Sequence, residues 1–361
     1  MNILILTTHL NFGGIASYVV NLALEFKKMG HDVFVASSGG DLADHLLKEN
    51  IVHIGLNLRT KSELSPKLIF AFLRLKGLIK EKNIEIIHAQ TRVTQVLSFF
   101  LSRALSIPYV TTCHGYFKPK LARKIFGFWG RRVIAISGAV RKHLIEDLKV
   151  RQARIKLVYN GVALNPKKDY PINAIKKRLG LSEGPVVGMV ARLSPVKGHL
   201  YLISAMKHVL SIEPYAQLLI VGDGPYKKVI TDFINELKLR DKVHIIPSRA
   251  ELGEIFSVMD VFVSPSIQEG LGLSILEAQS NLVPCVGFRI GGITDVIEHE
   301  VTGLLVEQFD IKALAQAVVR LIRDKYLSRS IAKTAYDLIG EKFSSKIMSE
   351  KTINVYKEVL A

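Results

Sequence analysis

Short runs of apolar, mostly β-branched residues alternate with longer amphipathic segments along the whole chain. In the first half, the runs predict strands at Ile3–Leu6, Val33–Ala36, Ile51–Ile54, Ile84–His88, Tyr109–Thr112 and Val133–Ile136. The intervening segments predict helices such as Ile15–Met29, which Gly30 closes, and Ser137–Leu148, with Ser137 as the N-cap. Continuously apolar strands alternating with helices are typical of a parallel, doubly wound α/β sheet.

The same alternation starts again after a stretch rich in turn-forming residues. Its runs predict strands at Val186–Val190, Leu218–Val221, Val243–Ile246, Val261–Ser264, Cys285–Gly287 and Leu304–Val306. Breakers such as Asn165-Pro166 and Gly184-Pro185 place a linker within 159–185. Helical patterns at 312–323, 328–339 and Ser344–Leu360 follow. We therefore predict two domains, residues 1–168 and 169–343, whose parallel sheets face each other across a ligand-binding cleft.

The amino-acid composition excludes several classes of protein. The chain has 361 residues, 48% apolar and 22% charged, which excludes a disordered or low-complexity protein. Cys113 and Cys285 are the only cysteines, too few for a disulfide framework or a cysteine zinc site. No apolar run approaches the ~20 residues of a membrane span, and the N-terminus predicts a first strand rather than a signal peptide. We expect a cytoplasmic protein with no bound metal.

Positive charge is concentrated in the first half of the chain. The formal net charge is +17, and residues 1–170 hold 26 Lys and Arg against 11 Asp and Glu. Two segments, 61–82 and 117–132, interleave these cations with bulky apolar residues, a pattern typical of contact with anionic membrane headgroups. A solvated helix face is the alternative for the first segment. Nucleic acid is a less favoured partner, because no nucleic-acid motif accompanies the charge.

Two loops that precede helices carry groups suited to anions. Gly13 and Gly14 let backbone N–H groups approach an anion at a helix N-terminus, although a plain tight turn explains them equally well. Arg192 and Lys197 follow the first strand of the second domain. The planar guanidinium of an arginine and the compact ammonium group of a lysine suit the oxygens of a diphosphate. Two solvated loop cations are the simpler alternative. Neither loop has the spacing of a dinucleotide-binding motif or a P-loop.

The most informative stretch runs from Pro265 to Ala278. Glu269 is predicted in a glycine loop and Glu277 about one turn inside the next helix, so the two carboxylates are placed to reach opposite ends of an extended ligand. The N–H groups of Leu271, Gly272 and Leu273 would point at an anion. A first-turn glutamate that stabilises the helix dipole is the alternative, and it explains Glu277 poorly.

These residues resemble a known family. Glu269 and Glu277 match the Glu-x7-Glu motif of the retaining family 4 glycosyltransferases with the GT-B fold, also called glycosyl transferases group 1. Other matches lie in family order over nearly the whole chain: Gly13-Gly14, Ile87-His88-Ala89, His114-Gly115, Asn160-Gly161-Val162, Arg192, Lys197-Gly198, 221–225, 291–293 and Thr302-Gly303. The chain departs from the pattern at Ala191 and at Leu282, where glycine is usual.

The resemblance implies a fold, a reaction and a set of roles. It implies a C-terminal helix, 344–361, that packs back on the N-terminal domain. It implies transfer of a hexose from a nucleotide diphosphate sugar to a saccharide or lipid-linked acceptor in lipopolysaccharide or polysaccharide synthesis, with no metal and no cofactor. Arg192 and Lys197 would hold the diphosphate, and Glu277 the ribose. Glu269 and the amides of Leu271–Leu273 would hold the sugar and its phosphate, and His114 would orient the sugar hydroxyls.

Two other functions stay open at this point. One is a phosphorylase or nucleotide-sugar epimerase of the same fold, and the other is a non-catalytic, membrane-associated partner that kept the fold. The basic first half and the acceptor chemistry together predict a peripheral position on the inner face of the cell membrane.

Overall fold

The chain divides into two compact units. The computed structural model describes residues 1–60, 65–119, 123, 126–164, 169–248 and 252–361. Unit 1 comprises residues 1–161 and 344–361, and unit 2 comprises residues 162–343. Several residues of the predicted basic segments and linker lie outside the described ranges: Lys61, Lys120, Lys124, Asn165 and Pro166.

Unit 1 is built on a seven-stranded sheet in which every pairing is parallel. Its strands are β1 (Asn2–Leu6), β2 (Asp32–Ser37), β3 (Val52–Gly55), β4 (Ile86–Ala89), β5 (Tyr109–Cys113), β6 (Arg132–Ala135) and β7 (Ile155–Leu157). Its helices include α1 (Gly14–Lys28), α2 (Ala43–Lys48), α3 (Lys67–Glu81), α4 (Arg92–Leu105) and α5 (Gly138–Glu146). The order β3-β2-β1-β4-β5-β6-β7 changes direction between β1 and β4.

Unit 2 repeats this plan on a six-stranded parallel sheet. Its strands are β8 (Val186–Val190), β9 (Gln217–Val221), β10 (Val243–Ile246), β11 (Val261–Ser264), β12 (Cys285–Phe288) and β13 (Leu304–Val306). Its helices include α6 (Ile172–Arg178), α7 (His199–Ile212), α8 (Lys227–Glu236), α9 (Gly253–Phe256), α10 (Leu273–Gln279), α11 (Ile293–Val296), α12 (Ile311–Arg323) and α13 (Lys325–Leu338). The order β10-β9-β8-β11-β12-β13 changes direction between β8 and β11.

The apolar patterning explains these sheets. Ile3, Leu4, Ile5 and Leu6 of β1 are fully buried, as expected for a central strand covered by helices on both faces. The prediction of two parallel, doubly wound α/β sheets is confirmed. Ser137 caps α5 as predicted, because its Oγ accepts a hydrogen bond from the N–H of Val140. Strand β7 was not predicted, since its three residues include one lysine and form too short an apolar run.

The last helix, α14 (Ser345–Leu360), belongs to unit 1 and packs against α1. A buried chain of hydrogen bonds ties it to the sheet. Tyr356 Oη lies 2.6 Å from Nδ1 of His88, whose Nε2 lies 2.7 Å from Oγ1 of Thr112. Burial lowers the pKa of His88 to about 3, so this ring is neutral at physiological pH. None of the described helices combines the length and apolar composition that crossing a membrane requires.

Replacing Tyr356 with phenylalanine is expected to destabilise unit 1. The change removes one hydroxyl and leaves Nδ1 of the buried His88 without a partner, a loss of about 1–3 kcal/mol in the free energy of unfolding. Urea denaturation followed by circular dichroism measures this loss. Tyr326→Phe is the matched control, because Tyr326 is 86% exposed. Equal stability of the two variants would show that the hydrogen bond does not anchor α14.

Candidate functional site

In unit 2, two loops leave the carboxyl ends of the strands between which the sheet order turns. Open α/β sheets bind ligands at such a point. The loop after β8 contains Arg192 and Lys197, and the loop after β11 contains Glu269. Gly198 has φ 75°, and a Cβ there would collide with the carbonyl oxygen of Pro265. Glycine therefore lets the two loops touch and brings Lys197 to Glu269.

Lys197 and Glu269 form an ion pair with little access to water. Nζ of Lys197 lies 2.6 Å from Oε2 of Glu269, with the two side chains 25% and 14% exposed. Oγ of the buried Ser266 donates to the same Oε2 at 3.0 Å. Charge-assisted hydrogen bonds of this length hold both charges in place. The sequence reasoning did not assign Ser266 a role. Ser266 lies two residues beyond β11, at the ligand-binding edge of the sheet, and this position could have indicated a role in the site.

The loop after β11 turns into α10 through a glycine with a left-handed backbone. Gly272 has φ 102° and is the N-cap of α10, with no side-chain cap on the first turn. Leu271 is buried and Leu273 is partly buried. The loop rests on Gly292, whose N–H donates to the carbonyl oxygen of Glu269 at 3.0 Å. The close packing of Gly292 on this loop explains why that position is glycine.

Glu277 lies one turn into α10 and is partly buried. Burial raises the pKa of its carboxyl group to about 7. Among the described residues, no side chain donates a hydrogen bond to this carboxylate. A desolvated acceptor of this kind suits a ligand that brings its own hydroxyl donors.

The raised pKa predicts how stability depends on pH. The carboxyl group titrates near 4.5 when it is unperturbed and near 7 in the folded chain, so between these values the folded state holds the extra proton. The free energy of unfolding should therefore fall as pH rises from about 4.5 to about 7, and level off above. Urea titrations of wild type and Glu277→Gln at several pH values isolate this contribution. A pH-independent difference between the two would contradict the prediction.

Arg192 presents an exposed cation on a fixed backbone. The side chain is exposed and makes no ion pair within the described residues. Next to it, the N–H of Leu193 donates to the carbonyl oxygen of Asp223 at 2.9 Å, so the loop after β9 supports this loop. Ala191 stands where the family has glycine, and its carbonyl oxygen packs on Gly222. Leu282, the other departure, adopts φ 59°, the left-handed conformation that favours glycine.

In unit 1, the predicted residues lie at the carboxyl edge of the sheet. Gly13 and Gly14 are exposed and open α1, which has no side-chain cap at its N-terminus. His114 follows β5, and its Nε2 donates to Oε1 of Gln90 at 2.8 Å. The ring also packs edge-on against Tyr18, with centroids 4.8 Å apart. Burial lowers the pKa of His114 to about 3, so it acts as a neutral ring.

Gln90 was missed by the sequence reasoning. It is buried, and its Nε2 has no hydrogen-bond partner within the described residues. A buried donor without a partner at a ligand-binding edge is available to a ligand oxygen. Its position directly after β4, at the point where the sheet order turns, is the signal for it.

The predicted residues thus fall into two groups. Unit 2 brings together Lys197, Glu269, the N-terminus of α10 and Glu277 on one chain segment and its neighbouring loop, with Arg192 on the same loop as Lys197. Unit 1 holds Gly13, Gly14 and His114. Across the residues that the structure describes, no cluster of three or more His, Cys, Asp or Glu side chains is arranged to hold a metal ion.

Comparison with known proteins assigns the family. The family model for glycosyltransferase family 4 matches residues 12–165, and the model for glycosyl transferases group 1 matches residues 171–338. The UDP-Gal:alpha-D-GlcNAc-diphosphoundecaprenol alpha-1,3-galactosyltransferase of Escherichia coli is 30% identical over 277 residues, covering 72% of this chain and 71% of that protein. The chain belongs to glycosyltransferase family 4.

Further relatives match this chain over nearly its full length. The N-acetyl-alpha-D-glucosaminyl L-malate synthase of Bacillus anthracis is 26% identical, and the alignment covers 98% of this chain and 96% of that protein. A solved glycosyltransferase from Rickettsia africae superimposes with a TM-score of 0.87 at 25% identity, covering 99% and 98% of the two chains. The predictions of the family, of the GT-B fold and of a hexosyltransferase are confirmed.

Proposed function

We propose that this family 4 enzyme is a metal-independent, retaining glycosyltransferase. It moves a hexose from a nucleoside diphosphate sugar to a saccharide or lipid-linked acceptor during synthesis of a cell-envelope glycan, a lipopolysaccharide or polysaccharide. The observation that carries the proposal is the ion pair of Lys197 and Glu269 at the turning point of the unit 2 sheet, with the desolvated Glu277 one turn into the helix that follows. Together these residues combine a fixed cation, a fixed carboxylate and a desolvated carboxylate within two loops and one helix.

The donor diphosphate binds Lys197, Arg192 and the amides of Leu271, Gly272 and Leu273. The ion pair with Glu269 already holds the ammonium group of Lys197 in place, so little reorganisation is needed when charge develops on the leaving phosphate. The planar guanidinium of Arg192 supplies paired donors to phosphate oxygens. These groups take the part that a magnesium ion plays in other sugar transfers, and no cofactor is needed.

The nucleoside binds through Glu277. Its carboxylate has no donor among the described side chains, and a ribose diol supplies two. Hydrogen bonds from these hydroxyls favour the ionised form and lower the pKa of Glu277 from about 7. Binding of the donor below pH 7 therefore releases a proton.

Glu269 and His114 orient the transferred sugar. The neutral ring of His114, whose Nε2–H is donated to Gln90, accepts a hydrogen bond from a sugar hydroxyl without adding a charge. In the retaining step, the acceptor oxygen attacks the anomeric carbon from the face that the diphosphate leaves. The bond from that carbon to the phosphate oxygen breaks, and the acceptor proton passes to the departing phosphate.

The names of relatives support a uridine donor and a lipid-linked acceptor. The galactosyltransferase of Escherichia coli is named for UDP-galactose and for a diphosphoundecaprenol-linked sugar. The excess of Lys and Arg in residues 1–170 suits an anionic membrane surface, and Gly13 and Gly14 suit an anionic group on the acceptor. We place the enzyme at the inner face of the cell membrane as a peripheral protein.

Thermal unfolding with added nucleotides tests the donor. UDP, GDP, ADP and dTDP and their hexose conjugates are each compared with and without EDTA. A ligand at 100 times its Kd adds about 2.7 kcal/mol of stability, and UDP compounds are expected to do so whether or not EDTA is present. No stabilisation by any of them would favour the non-catalytic alternative. Turnover with inorganic phosphate and no nucleotide would favour a phosphorylase.

A further inference from the structure

A cavity of about 670 Å³ opens at the amino ends of β5, β6 and β7 in unit 1. Tyr109 opens β5, Trp129 lies three residues before β6, and Arg154 directly precedes β7. The cavity is thus at the edge of the sheet opposite to His114, which follows the other end of β5. Five strand residues separate the two edges by about 13 Å. The cavity is not part of the site described above.

Aromatic side chains line part of the cavity. Phe99, Tyr109, Phe126, Phe128 and Trp129 line it. The rings of Phe126 and Phe128 stack at 6.3 Å, and those of Phe99 and Phe128 lie 4.8 Å apart. Phe126 is 61% exposed, so the apolar surface continues from the cavity to the outside. Rings of this kind give an acyl chain an apolar surface to lie against.

The cavity lining is also cationic. Lys149, Arg151 and Arg154 belong to it, and the described lining includes no Asp or Glu. All three residues are exposed, and Lys149 and Arg151 make no ion pair within the described residues. Arg154 is held in place by a hydrogen bond to the carbonyl oxygen of Gly130. Three cations with no acidic side chain in the described lining, next to the aromatic rings, attract an anionic headgroup.

We infer that this cavity binds an anionic phospholipid of the membrane, with the start of an acyl chain against the rings and the phosphate on the three cations. The inference rests on the membrane contact in the proposed function and gives it a location. The volume lies within the range of about 300–1,000 Å³ that encloses a small ligand, so one headgroup and part of a chain enter while the rest stays in the bilayer.

The only tryptophan of the chain provides the test. Trp129 lines the cavity and is buried, so its fluorescence reports on a ligand there. The full chain is mixed with vesicles of phosphatidylglycerol or phosphatidylcholine whose acyl chains carry bromine near the headgroup. We expect bound brominated phosphatidylglycerol to quench Trp129 and brominated phosphatidylcholine to leave it unchanged. Co-sedimentation with the vesicles measures binding independently.

Two variants test the cations and the rings of the cavity separately. Lys149→Glu with Arg151→Glu should weaken vesicle binding by at least about tenfold, since each cation near a membrane contributes severalfold in affinity. Lys48→Glu with Lys351→Glu is the control with the same net charge, placed on exposed lysines of unit 1 outside segments 61–82 and 117–132. Phe126→Asn should reduce quenching, whereas Tyr326→Asn on exposed α13 should not. Circular dichroism of each variant checks that it is folded.

Three results would overturn the inference. If the chain sediments with anionic vesicles but Trp129 is not quenched, the protein binds the membrane through another surface and the cavity is not the lipid site. If the chain does not sediment with vesicles at all, the proposed membrane contact is wrong as well. The donor site is tested independently by the stabilisation experiment with UDP. An equal change in Trp129 fluorescence with inorganic phosphate alone would assign the cavity to a free anion rather than a lipid.

Discussion

Replacing Lys197 with alanine is expected to lower kcat for hexose transfer by about 10²–10³-fold, because a fixed cation that stabilises the leaving diphosphate has this magnitude in other enzymes. The ammonium group is mostly shielded from water and is held 2.6 Å from Glu269. In the proposed mechanism it therefore needs no ordering before it acts on the phosphate. The rate is measured as release of nucleoside diphosphate at saturating donor.

The control for this variant is Lys325→Ala. Lys325 also pairs with a carboxylate in unit 2, at 3.4 Å from Asp260, but on the exposed start of α13. It should change neither kcat nor the free energy of unfolding by a measurable amount. A folded Lys197→Ala variant with normal turnover would reject the assignment of Lys197 to the diphosphate.

Glu269→Ala should cause a loss of similar size, about 10²–10³-fold in kcat. The variant removes the carboxylate that we propose orients the sugar, and it also removes the ion-pair partner of Lys197. Because the two groups touch, their effects should not add: the double variant is expected to be about as slow as either single variant. Kinetics of the two single variants and the double variant measure this coupling.

Additive losses would mean that the two side chains act independently despite the short contact. Ser266→Ala extends the comparison, since it removes one hydrogen bond from Glu269 and leaves the ion pair intact. We expect it to reduce kcat far less than Glu269→Ala. A loss as large as that of Glu269→Ala would give the hydroxyl of Ser266 a direct role with the substrate.

The alternation of apolar runs and amphipathic segments predicts both sheets because it is a local property of the chain. A strand buried on both faces needs a continuous apolar run, as in Ile3–Leu6, wherever it lies in the sheet. The ordered motifs predict the family for a similar reason, since each is a short stretch that shapes one loop. Strand β7 and helix α6 escaped prediction, because one is only three residues long and the other lies among turn-forming residues.

Contacts between distant residues were decided only by the tertiary structure. Lys197 and Glu269 are 72 residues apart, and their pairing depends on the neighbouring positions of β8 and β11 in the sheet. The pairing of His114 with Gln90 and of Tyr356 with His88 depends in the same way on which elements are packed together.

The two glutamates of the motif have different surroundings in the folded chain. Glu269 has a cation and a hydroxyl beside it, whereas Glu277 is desolvated without a donor from any described side chain, so its pKa is about 7. The sequence shows two similar carboxylates at a fixed spacing, and it determined the fold class, the family and the candidate residues. Only the tertiary structure decided which carboxylate is paired, because desolvation and charge partners come from the packing of elements far apart in the chain.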